Sequence, residues 1–83
     1  MSVRNWKTYE NSTGTVTFPL KGTNGIIRVN SIAGTAIINK KDAGGTWREF
    51  FTVAAGVQKK EENCSSGEYK ITTTGNFNYE YLD

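Results

Sequence analysis

The chain has 83 residues, 22% of them charged and 36% apolar, with a net charge of +2 and no histidine. That length sustains one domain with a thin core, which hides about 60 to 65% of the surface exposed by the unfolded chain. The balance of charge and apolar content excludes a disordered chain. The missing histidine removes the commonest general base, metal ligand and partner of a catalytic serine or cysteine.

Residues 1–13 are polar and cannot build a core of their own, so they read as an extended N-terminal arm ahead of a single β domain over residues 14–83. Trp6 and Tyr9 on that arm are expected to anchor it to the domain or to a neighbouring subunit. Thr15 to Leu20 alternates, with Val16, Phe18 and Leu20 on one face. Pro19 lacks an N–H, which places this strand at a sheet edge or at a bulge. After a turn over Lys21 to Gly25, Ile26 to Ile32 forms the second strand. Thr35 to Lys40 forms the third, with Ala36 and Ile38 opposed to Ile37.

Asp42-Ala43-Gly44-Gly45 supplies residues that tolerate positive φ and joins the third strand to Thr46 through Val53 as a hairpin. A regular strand there puts Trp47, Glu49, Phe51 and Val53 on one face and Arg48, Phe50 and Thr52 on the other. Trp47 is expected to pack over its own hairpin turn. Ala54 to Gly56 turns, and Val57 to Glu62, containing KKEE, reads as an exposed edge strand whose charge discourages aggregation.

Asn63 to Gly67 reads as a turn. Tyr69, Ile71 and Thr73 alternate on a sixth strand, and Phe77, Tyr79 and Tyr81 alternate on a seventh. Gly75-Asn76 between them predicts a second hairpin. Gly44, Gly45, Gly56, Gly67 and Gly75 are thus assigned to structural turns. No window keeps a helical period, and the rhythm predicts an all-β domain: a small antiparallel β-sandwich or partly open β-barrel of six to seven strands.

Catalytic and ligand chemistry finds little support. Cys64 has no second cysteine to pair with, which fits a reducing cytosol, and no histidine to activate it. Glu61 and Glu62 are adjacent on a strand and point to opposite faces, so they do not converge on one glycosidic bond. Asp42 lacks the alternating acids of a calcium loop, and no helix follows Gly44-Gly45 to bind phosphate. No catalytic residue, metal or cofactor is expected. Lys40-Lys41 and Lys59-Lys60 are followed by Asp42 and Glu61-Glu62, which cancel most of the field a nucleic acid would need. No stretch has the length of a membrane span, and the opening residues lack the apolar run of a signal peptide, so a soluble, unexported protein is expected.

The order GTVTFPL, DAGGTWREF, VAAGVQK and SGEYKITTTG resembles small all-β structural proteins of tailed bacteriophages, which serve as virion decoration, head-fibre or tail-associated components. The resemblance covers roughly residues 14–76, with Gly45, Trp47, Gly56, Gly67, Tyr69 and Gly75 as structural positions. The charged KKEEN segment departs from it, since an apolar strand is more usual there. The resemblance implies a non-enzymatic protein made in the bacterial cytoplasm and assembled onto capsid or tail proteins of the virion, as a homo-oligomer, with a trimer among the options. On that reading Trp6 and Tyr9 contact a neighbouring virion protein, and Phe77, Tyr79 and Tyr81 form the subunit contact or the core. Two alternatives stand beside it: a carbohydrate-binding module using Trp47, and an oligonucleotide-binding barrel using Arg48, Phe50 and Tyr69.

Overall fold

The protein is described from a computed structural model over residues 5–83. Six strands and no helix make up this range: β1 (Trp6–Leu20), β2 (Gly25–Ser31), β3 (Ala36–Lys41), β4 (Trp47–Val53), β5 (Gln58–Cys64) and β6 (Gly67–Leu82). All pairings are antiparallel, and together the strands form one curled sheet, a half-barrel.

β6 is the spine. β1 lies along one side of it, from Trp6 opposite Leu82 to Leu20 opposite Gly67. The other side is divided: β2 takes the C-terminal half, from Ile26 opposite Leu82 to Ser31 opposite Phe77. β3 takes the N-terminal half, from Ala36 opposite Thr73 to Lys40 opposite Tyr69. β5 extends the sheet beyond β2, and β4 extends it beyond β3. The 16 residues of β6 would span about 50 Å if straight, yet the longest dimension of the molecule is 38 Å. The long β1–β6 ribbon therefore bends.

The bend is built around Gly75. A Cβ there would sit 2.0 Å from the carbonyl oxygen of Ala33, so the loop between β2 and β3 rests directly on the backbone of β6. That loop is tied down by the N–H groups of Ile32 and Ala33, which both donate to the Asn76 carbonyl, at 3.0 and 3.2 Å. β1 follows the curve through two register shifts, one containing Asn11 (φ 53°) and one containing Gly14 (φ 76°). Such bulges add local twist and let an edge strand turn a corner.

Three expectations are corrected here. Gly75-Asn76 is no hairpin: β6 runs through it, and the glycine marks a close backbone approach, the other meaning of glycine inside a strand pattern. Residues 6–13, expected as an arm, are the first half of β1 and pair with β6; residues 1–4 of that arm lie outside the described residues. Pairing also continues to Cys64, because Asn63 takes a positive φ of 56° and the extra residues of β5 bulge against β2, leaving only Ser65 and Ser66 between β5 and β6. Gly44, Gly45 and Gly56 lie in turns as expected, and Gly67 opens β6.

The core follows the period of two. Tyr69, Ile71, Thr73, Phe77, Tyr79 and Tyr81 of β6 are all buried, on the face shared with Phe18 and Leu20 of β1 and Ile27 and Val29 of β2. Ala36, Ile38, Phe51 and Val53 complete it, while Ile37 faces out. Each fully buried large side chain contributes about 1.5–3 kcal/mol by leaving water. The Pro19 strand is an edge as predicted, since β1 pairs with β6 alone among the described strands. β5 is an edge too.

A bulge in β4 overturns the expected facing of Trp47. Asn39 pairs with Glu49 and Ile38 with Phe51, so Phe50 is the extra residue. One extra residue inverts the alternation: Phe51 and Val53 enter the core, whereas Trp47 and Glu49 lie on the outer face.

Candidate interaction surface

Of the five aromatic residues expected to meet a partner, the fold buries three. Phe77, Tyr79 and Tyr81 belong to the core, leaving Trp6 (39% exposed) and Tyr9 (43%) at the surface. Both sit in the first half of β1, on opposite faces of the sheet, because Trp6 pairs with Leu82 and Tyr9 with the inward-facing Tyr79. Tyr9 stacks on Tyr79 with ring centroids 4.9 Å apart and lies 6.3 Å from Tyr81. The Tyr81 phenol is pushed up to about 12, first by burial and then by its hydrogen bond with Tyr9 and the neighbouring charges.

On the outer face, the Trp6 indole reaches across β6 to Arg28 of β2, whose guanidinium lies 5.1 Å from the ring centroid. Arg28 is ion-paired with Glu80, and the Thr8 hydroxyl donates to the same carboxylate at 3.2 Å. Beside this charged row runs a row of amides. Asn30 stands opposite Asn78 on one side and Gln58 on the other, and the Asn78 carbonyl oxygen accepts the Asn11 N–H at 2.9 Å. Between the two rows lies a groove of about 160 Å³. None of these polar residues stood out in the sequence: each is merely the outward member of an alternation, and only the register across β1, β6, β2 and β5 brings them together.

Trp47 occupies a different outer patch. It is half-buried opposite Lys41, with the ammonium groups of Lys41 and Lys70 at 5.0 and 4.6 Å from its ring. The turn it was expected to pin is held by Asp42 instead. One carboxylate oxygen accepts the N–H groups of Gly44 (3.0 Å) and Thr46 (2.9 Å), and the other accepts Arg48 Nε (2.7 Å). Those bonds, that from Thr46 foremost, hold the Asp42 carboxyl below the ordinary range. An open depression of about 530 Å³ beside this turn is lined by Lys40, Arg48 and Phe50, but its cations are engaged: Lys40 with Ser65, Arg48 with Asp42 and Lys41 with Glu68. Tyr69, one of the three residues of the oligonucleotide-binding alternative, is fully buried and donates its hydroxyl to the Ser65 carbonyl at 2.6 Å.

Cys64 is buried with its thiol toward the Glu61 carbonyl (3.4 Å), and burial followed by the nearby Glu61 charge pushes the thiol up. No group of three or more Cys, Asp or Glu side chains is placed to hold a metal among the described residues.

The chain matches no protein-family profile and no curated protein sequence.

Proposed function

We propose that this protein is a non-enzymatic assembly module, of the kind of small all-β virion component that its sequence resembles, held in place by the free edge of β1. The observation that carries the reading is the placement of Trp6 and Tyr9: two large exposed rings on opposite faces of a strand with one neighbour. An incoming strand pairing with this edge gains backbone hydrogen bonds and covers both rings, the arrangement by which exposed sheet edges capture partners. Of the two other sheet edges, β4 and β5, β5 carries Lys59, Lys60, Glu61 and Glu62, which oppose such pairing. The module assembles as a homo-oligomer or on other capsid or tail proteins.

Deleting residues 1–13 would strip half of β1 from β6, so point variants are the sound test. Light scattering across a dilution series should give a mass above the monomer for the wild type. Trp6→Ser with Tyr9→Ser should give a monomer with an intact fold. A wild type that stays monomeric at every concentration would remove self-assembly through β1.

A further inference from the structure

We infer that the outer-face groove between the amide row Gln58–Asn30–Asn78 and the charged row Arg28–Glu80–Thr8 is a binding site for a neutral saccharide. The argument begins with unspent hydrogen-bonding capacity. Asn30 and Gln58 face each other across β2 and β5, and their side chains make no hydrogen bond among the described residues. Asn78 uses its carbonyl oxygen on Asn11 and keeps its amide donors. A carboxamide presents a donor and an acceptor in one plane, the pattern that two neighbouring hydroxyls of a sugar ring answer. With strands about 4.8 Å apart, three amides in register span about 10 Å, enough for two pyranose rings laid across the sheet.

The second row fixes the charge of the ligand. Arg28 and Glu80 neutralise one another and Glu10 adds a further carboxylate to the lining, so the groove has no unbalanced cation to select phosphate or carboxylate. Both retain hydrogen-bonding positions beyond their mutual bond, since a guanidinium has five donors and a carboxylate about four acceptor sites. Glu10 and Tyr79 complete the lining of the groove. Convergent amides beside a mutually neutralised Arg28–Glu80 pair distinguish this groove from the depression at Asp42, where the charges are consumed by the turn.

The site does not require self-assembly; it takes Thr8 and Glu10 from the β1 edge, so its test variants are placed on β2 and β5. The full chain is applied to an array of neutral mono- to tetrasaccharides built from glucose, galactose, mannose and N-acetylglucosamine, and hits are titrated by calorimetry. At least one oligosaccharide should bind, and Asn30→Ala and Gln58→Ala should each weaken it by about tenfold with an unchanged unfolding midpoint. Tyr9→Ser should keep saccharide binding while losing self-association. Raising salt to half-molar should leave the affinity unchanged. Absence of any hit, binding indifferent to Asn30→Ala and Gln58→Ala, or a steep loss of affinity with salt would each overturn the proposal.

Discussion

The Phe18 ring stacks on Tyr81, with centroids 4.3 Å apart and planes 12° from parallel, although the backbone partner of Phe18 is Tyr69, at the far end of the same strand. Phe18 also stacks on Tyr69, at 5.9 Å. A single ring can touch both ends of β6 only if that strand doubles back, so Phe18 is the contact that closes the curled sheet upon itself.

Phe18→Ala should therefore destabilise the fold by about 3–5 kcal/mol, at the upper end for a core aromatic because both halves of the sheet lose a shared partner. Urea unfolding monitored by circular dichroism measures this. Phe50, a residue 39% exposed, provides the control: Phe50→Ala should cost less than half as much.

Two glycines separate close approach from backbone conformation. At Gly75 the added Cβ would fall 2.0 Å from the Ala33 carbonyl oxygen, whereas at Gly45 (φ 86°) nothing lies within 4 Å. Gly45→Ala should cost about 1 kcal/mol through its positive φ alone. Gly75→Ala should cost about 3 kcal/mol or more, or prevent folding, because backbone must move. Thermal melts of the two variants rank them.

Alkaline pH should weaken the protein through Tyr81. Its folded pKa of about 12 lies above the ordinary phenol value of 10.0, so the stabilisation is fully present below pH 10 and is lost as pH rises from 10 toward 12. Tyr9→Phe removes the hydroxyl partner and should bring the Tyr81 ionisation down, read by ultraviolet absorbance titration. An unchanged titration in Tyr9→Phe would separate Tyr81 from its stacked neighbour.

Acid acts through two carboxylates that hold loops. Asp83 accepts the N–H groups of Lys21 (2.6 Å) and Gly22 (2.8 Å), and these bonds, that from Gly22 first, lower its pKa as the turn bonds lower that of Asp42. Both sit below the ordinary value of 3.8 in the folded state. Their contribution is present above that value and is lost as pH falls through the lowered ones. Asp42→Asn and Asp83→Asn should each flatten the acid limb of the stability profile.

Cys64 is 1% exposed, and its thiol is pushed up by burial. Labelling by a water-soluble thiol reagent should therefore be slow in the native state and should accelerate with denaturant in step with unfolding. Fast labelling in native buffer would show that the end of β5 opens locally.

How much of this was legible beforehand differs from strand to strand. Alternation in Val16-Phe18-Leu20, Tyr69-Ile71-Thr73 and Phe77-Tyr79-Tyr81 identified the buried face, because a period of two is written into the chain itself. The DAGG turn and the charged β5 edge were equally visible, since both depend on local chemistry. Gly75 was misread because a glycine permits a turn and a close approach alike, and only the loop at Ala33 decides which. Trp47 does not share a face with Phe51 and Val53, as a regular strand would have it, because the bulge at Phe50 is fixed by pairing with β3. The groove was invisible for a related reason: Asn30, Gln58, Asn78 and Glu80 are far apart in the chain, and no single strand shows that they align. The sequence by itself determined the all-β character and the buried sides of Phe18–Leu20, Tyr69–Thr73 and Phe77–Tyr81, all set by neighbouring residues. Tertiary structure alone decided strand order, the bend and the outer-face rows, because these depend on register between distant segments.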